Sequence, residues 1–153
     1  MKLGDVLRKE RTKKGIESGA AAGALEVSDE EYSRLEAGDT DAETAGPLLA
    51  QIAIALETPV SRLIAPSGRS EDAKAGQFGQ LVQEHRERRE KSPDEMAEAL
   101  GIELGDYQQI ESGESNLETW APIFLRFAEL IEQPVFNIFY PCGLPFQELD
   151  DYP

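Results

Sequence analysis

Residues 3–66 and 78–141 carry one pattern twice, 75 positions apart and without a gap. "LGDVLRKERTKKG" from Leu3 lies over "FGQLVQEHRERRE" from Phe78, and "SDEEYSRLEAG" from Ser28 lies over "ELGDYQQIESG" from Glu103. "ETAGPLLAQIAIALETPV" from Glu43 lies over "ETWAPIFLRFAELIEQPV" from Glu118. Several identities fall on residues that punctuate structure, namely Gly4/Gly79, Gly38/Gly113, Pro47/Pro122 and Pro59/Pro134. Arg11/Arg86, Ala22/Ala97, Tyr32/Tyr107 and Glu36/Glu111 match as well. Self-similarity of this kind points to an internal duplication, with each half building the same small fold. Residues 1–66 are read as the first domain and residues 78–141 as the second. The segment between them, "SGRSEDAKAGQ" at 67–77, is small and polar, as domain boundaries tend to be. Residues 142–153 form a tail.

Apolar spacing predicts about five short helices in each half. Leu3, Val6 and Leu7, matched by Phe78, Leu81 and Val82, have the i, i+3, i+4 spacing of one helix face. A second helix is expected over Ser18–Leu25 and over Pro93–Leu100, where Ser92 followed by Pro93 is a cap and a first-turn proline. Gly19 and Gly23 weaken the first of these by about 1 kcal/mol each relative to alanine. A third helix runs over Ser28–Ala37, with Ser28 and Glu31 spaced as a capping box and Gly38 closing it. The acids Asp29, Glu30 and Glu31 suit the positive end of its dipole. A fourth helix is expected from Thr44 and from Thr119, with Pro47 and Pro122 in the first turn. Its apolar face is Leu48, Leu49, Ile52, Ala53 and Leu56, matched by Ile123, Phe124, Phe127, Ala128 and Ile131. Pro59 and Pro134 stop it. "VSRLIAP" and "VFNIFYP" each supply a last short turn. Both halves are therefore expected to be all-α.

Composition narrows the function classes. One cysteine, Cys142, and one histidine, His85, leave no disulfide framework and no Cys/His zinc site within one chain. His85 is expected to be a half-buried spacer on its helix. No base accompanies Cys142 in sequence, and no glycine loop is built to cradle phosphate, so no enzyme activity, metal or cofactor is expected. Asp150–Asp151 reads as a solvated tail. The basic N-terminus lacks the apolar stretch of a signal peptide, and no run approaches the roughly 20 apolar residues of a membrane helix; a cytoplasmic protein is expected. The net charge of −15 opposes non-specific attraction to phosphate and to acidic membrane surfaces.

The stretches "ESGAAAGALEVSDEEYSRLEAG" from Glu17 and "SPDEMAEALGIELGDYQQIESG" from Ser92 share a shape. It is a helix with Ala where two helices approach, a tight turn, and a second helix ending in Glu-x-Gly. In this each half resembles the Cro/C1-type (XRE) helix-turn-helix domain, the lambda-repressor-like fold. The resemblance covers the chain apart from linker and tail. It implies two tandem five-helix lambda-repressor-like helix-turn-helix domains. It implies partly buried ion pairs of Arg11 with Glu36 and of Arg86 with Glu111. It also implies that the third helix enters the major groove. The base-reading positions map onto Asp29, Glu30 and Arg34, and in the second half onto Leu104, Gly105 and Gln109. Ser28 joins them as a contact candidate. The phosphate-contacting position at the start of the second helix maps onto Ser18 and onto Pro93, which has no donor.

Charge pulls against this expectation. An acid about 8 Å from a phosphate is repelled by roughly 0.5–2 kcal/mol, while a good base contact contributes roughly 1–3 kcal/mol. Asp29, Glu30 and Glu31 therefore offset Arg34. Bases gather instead on the first helix of each half, at Arg8, Lys9, Arg11, Lys13 and Lys14 and at Arg86, Arg88, Arg89 and Lys91. They form either a solvated face or a strip along phosphates. Residues 1–66 hold 8 basic and 12 acidic side chains, net −4; residues 78–153 hold 5 and 16, net −11. The first half is thus the better DNA candidate and the second a candidate partner surface. Ten of the eleven aromatic residues lie at or after Phe78, which implies a bulkier second core or an apolar interface for protein or for another copy. Two functions follow. One is a DNA-binding transcriptional regulator whose tandem domains act as a pseudo-dimer. The other is an acidic helix-turn-helix protein that binds other proteins and does not read DNA.

Overall fold

The computed structural model describes residues 2–57 and 77–132. Among them it is all-helical, with eight α-helices and no strand. The first four are α1 (Leu3–Lys13), α2 (Ser18–Leu25), α3 (Asp29–Ala37) and α4 (Ala42–Ala55). The next four are α5 (Gln77–Arg88), α6 (Pro93–Leu100), α7 (Leu104–Ser112) and α8 (Leu117–Ile131). The starts of α2, α3 and α4 recur 75 residues later in α6, α7 and α8. Gln77, assigned from sequence to the linker, is the first residue of α5. The last short turn expected in each half, the rest of the linker and the tail lie outside the described residues. No helix among the described residues is long and apolar enough to cross a membrane.

Local chemistry explains the boundaries. Ser28 caps α3 by accepting from the Glu31 backbone N–H at 3.1 Å. The expected return half of that box is absent: the Glu31 carboxylate takes the Ser28 hydroxyl, at 3.1 Å, instead of the Ser28 backbone N–H. The complete box stands at Ser92 and Glu95, on either side of Pro93. Gly101 closes α6 with a φ of 68°, whereas its counterpart Glu26 takes nearly the same left-handed geometry, φ 61°, at a steric cost that glycine avoids. The fourth helices begin earlier than expected, at Ala42 and Leu117. The Thr40 hydroxyl accepts from the Ala42 N–H and the Ser115 hydroxyl from the Leu117 N–H, both at 3.3 Å, so the chain turns before Thr44 and Thr119. Pro47 and Pro122 consequently lie inside their helices rather than in the first turn.

One close approach sets the geometry of each half. α1 crosses the end of α3 so tightly that a Cβ on Gly4 would lie 2.5 Å from the carbonyl oxygens of Leu35 and Glu36. Gly79 meets Ile110 and Glu111 in the same way. The fourth helix then closes over the start of the first. The Glu43 carboxylate accepts from the Leu3 and Gly4 N–H groups, both at 2.9 Å. Glu118 accepts from Phe78 at 3.2 Å and Gly79 at 2.9 Å. These are first-turn N–H groups that a helix leaves without an internal acceptor. Beneath the crossing, Leu3, Leu7, Leu25, Tyr32, Leu49 and Ile52 are buried, as are Phe78, Val82, Met96, Tyr107, Phe124 and Phe127. Among the described residues, the second-half aromatics Phe78, Tyr107, Phe124 and Phe127 are core, and Trp120 is half-buried.

The two halves pack through α2 on α8, α6 on α4, and α4 on α8. Exchanging each helix for its counterpart 75 residues away maps this set of contacts onto itself, as a two-fold axis would. Asp41 and Asn116, themselves 75 residues apart, meet at that axis: the Asn116 amide donates to Asp41 Oδ2 at 2.8 Å. The Trp120 indole N–H donates to Asp41 Oδ1, also at 2.8 Å. These hydrogen bonds, that from Asn116 foremost, hold the Asp41 carboxyl below its ordinary range. Lys91 Nζ reaches the Ala55 carbonyl at 2.6 Å, and Arg126 pairs with Glu26 at 3.4 Å.

Two substitutions test this packing. Gly4→Ala forces the α1–α3 crossing apart and is expected to lower unfolding free energy by roughly 1–3 kcal/mol in urea titrations. Asn116→Asp sets a second carboxylate against Asp41. Its melting temperature is expected to fall by roughly 2–4 °C at neutral pH, and the gap from the parent protein should close at pH values where one carboxyl is protonated.

Candidate nucleic-acid interface

The third helices carry the residues that the family resemblance marks as candidates for base contact. α3 turns Tyr32, Leu35 and Glu36 inward, and α7 turns Tyr107 and Ile110 inward. Their other faces are open: Ser28, Asp29, Glu30 and Arg34 are exposed on the first, and Leu104, Gly105 and Gln109 on the second. Ser18, the first residue of α2, is exposed, while Pro93 is half-buried. Asp29 lies near the first turn of α2, its Oδ1 3.9 Å from where a Cβ on Gly19 would stand. The structure thus brings the start of α2 beside the start of α3, with acid at the meeting point.

The expected ion pairs are both formed. Arg11 grips Glu36 through Nε at 2.6 Å and Nη2 at 3.0 Å, and its Nη1 donates to the Ile16 carbonyl at 2.8 Å. Arg86 does the same to Glu111 at 2.6 and 3.0 Å, with its Nη1 on the Lys91 carbonyl at 2.9 Å. Each guanidinium therefore ties the first helix, the loop that follows it and the end of the third helix into one unit. The side chains are 11–15% exposed, dry enough for the paired geometry to matter. Burial, the largest single influence, pushes the Glu36 carboxyl up, but the hydrogen bonds from Arg11, the Tyr32 hydroxyl and the charges of Arg11 and Arg8 together outweigh it and leave the group below its ordinary range. The same bonds raise Arg11, and those donated to Glu111 raise Arg86. Burial, reinforced by the neighbouring carboxylates, drives the Tyr32 and Tyr107 hydroxyls well above the usual tyrosine range.

These pairs alter the account of the basic strip. Arg11 and Arg86 are engaged inside the fold and are not free to meet phosphate. Lys91 is likewise directed at the Ala55 carbonyl. Arg8, Lys9 and Lys13 stay exposed and line an open groove along α1 with Asp5 and Thr12. Arg8 also lies 3.8 Å from Asp5 and from Glu36. His85 is half-buried, as its position on the helix suggests; burial, then Arg88 and Arg89, holds its imidazole below the ordinary value. Cys142 falls outside the described residues. Among the described residues no group of three His, Cys, Asp or Glu side chains is placed to hold a metal ion.

Sequence reasoning did not assign roles to Glu43, Glu118, Asp41, Asn116 or Thr40. A signal for the first two was present, since "ETAGP" and "ETWAP" keep the same Glu in register. No protein-family model, curated protein or solved structure matches this chain.

Because Glu36 is held below its ordinary value, the stability it supplies is complete above the unfolded carboxyl pKa of about 4.3. That stability is lost as pH falls through the lower folded value. Glu36→Gln leaves Arg11 without its counter-charge and is expected to lose roughly 2–4 kcal/mol near neutrality. Urea titrations from neutral to acid pH should show the parent protein converging on the variant.

Proposed function

We propose that this chain is a DNA-binding transcriptional regulator of the Cro/C1 (XRE) type, in which two five-helix halves related by internal duplication act as a pseudo-dimer. The observation that carries this reading is the division of labour among helices. The half-to-half contact rests chiefly on α2, α4, α6 and α8, which leaves the outward faces of α3 and α7 exposed. A two-fold-like pairing of that kind is what dimeric helix-turn-helix proteins use to present two reading helices. Arg34 is the cation on the exposed face of α3, and Arg8, Lys9 and Lys13 on α1 offer phosphate contacts nearby in sequence order. Gln109 supplies an amide on α7, suited to adenine. Asp29 and Glu30 accept hydrogen bonds only, so at their positions the reading favours a cytosine amino group over any acceptor edge.

A second reading rests on the same helices. The triple acid at the start of α3 and the exposed Leu104 at the start of α7 are poor partners for phosphate and fair ones for a basic, partly apolar protein surface.

Fluorescence anisotropy with random-sequence and selected duplexes at about 50 mM salt separates the two. The regulator is expected to bind, to weaken as salt rises in proportion to its phosphate contacts, and to lose roughly 1–3 kcal/mol with Arg34→Ala on a selected site. No binding at low salt would remove the DNA reading and leave the protein-interaction one.

A further inference from the structure

We propose that the crevice where α3 meets α8 is a binding site for a small organic cation with a flat apolar body. The crevice holds about 290 Å³, near the lower end of the roughly 300–1,000 Å³ typical of small-ligand sites. Val27, Leu35 and Ile123 give it apolar walls, and Trp120 lines it from the second half. A tryptophan face is the best aromatic partner for an ammonium group.

Charge decides the sign of the occupant. Three carboxylates, Glu31, Asp39 and Asp41, line the crevice against the single cation Arg34. Both Asp41 oxygens already accept, from Asn116 and Trp120, and Glu31 accepts from Ser28. The Asp39 carboxylate has no hydrogen bond or ion pair among the described residues. Its backbone oxygen takes the Arg34 guanidinium at 3.4 Å, which places the cation beside it without neutralising it. An anion entering here meets three negative groups and a neutral molecule gains nothing from them, whereas an ammonium gains from Asp39 and from the indole together. The chain's net charge of −15 adds a field of the same sign.

The site exists only where the two halves meet, since α3 belongs to one and α8 to the other. An occupant therefore stabilises their pairing by linkage. It also lies against Arg34. Competition between ligand and DNA for that side chain rests on the regulator reading above; binding to the crevice does not.

Trp120 is the single tryptophan of the chain, so its emission reports on this crevice alone. The full chain is titrated with phenethylammonium, and in parallel with phenethyl alcohol and phenylacetate, which keep the ring and change the charge. A saturable change is expected with the ammonium at concentrations below about 10 mM and a weaker response with the other two. Asp39→Asn is expected to weaken the ammonium roughly five-fold, and Arg34→Gln to tighten it by a similar factor. Opposite shifts from two exposed substitutions are not produced by general loosening of the fold. Equal responses to all three probes, no saturation with the ammonium, or the same direction of shift in both variants would overturn the proposal. Loss of duplex binding in the anisotropy experiment leaves this titration unaffected, so the two readings fail separately.

Discussion

A bidentate guanidinium–carboxylate pair organises each half of this protein. Arg11 with Glu36, and Arg86 with Glu111, close at the same distances and carry a third hydrogen bond to the loop that follows the first helix. Such a pair is sensitive to direction, because a planar guanidinium meets a carboxylate well in few orientations. It thereby sets where the end of the third helix lies relative to the first. The glycine at the crossing lets the two backbones come close enough for the pair to form. The outward face of the third helix, whatever it contacts, is aimed by these inward residues.

The junction between the halves follows another logic. Each half presents its second and fourth helices to the other. At the axis, a symmetric pair of first halves would set Asp41 against its own copy. Here the counterpart is Asn116, and one carboxylate receives both an amide and an indole donor. Trp120 has Ala45 as its counterpart, so a large side chain on one side answers a small one on the other. The unlike pairing relieves repulsion that like pairing would create. The same asymmetry leaves a crevice at α3 with no strict repeat of its chemistry elsewhere, since Arg34 corresponds to Gln109 and Asp39 to Glu114.

Much of the helical pattern was legible in sequence because its signals are local. The second and third helices begin and end within a residue of where caps, Pro93 and the closing glycines put them. The fourth helix was misjudged at its start, since proline suggested a first turn while the Thr40 and Ser115 hydroxyls had already begun the helix. The ion pairs were expected from a family resemblance and are present in the structure. Glu43 and Glu118 went unassigned although their register was visible: their backbone donors lie some 40 residues away in sequence, at 2.9 to 3.2 Å, and no local rule connects a helix-four acid to a helix-one amide.

By itself the sequence determined helix type, helix order, the repeat and the inward faces, because helix periodicity and capping act over a few residues. It also determined which side chains were available on the third helices, acid and Arg34 on one, Leu104 and Gln109 on the other. Only the tertiary structure decided that Lys91 is engaged within the protein while Arg8, Lys9 and Lys13 remain exposed. Only it brought Asp41, Asn116 and Trp120 together, and α3 against α8. Those outcomes depend on how two halves close on each other. Closure is governed by shape and by pairing of buried polar groups across distances in the chain that no spacing rule spans.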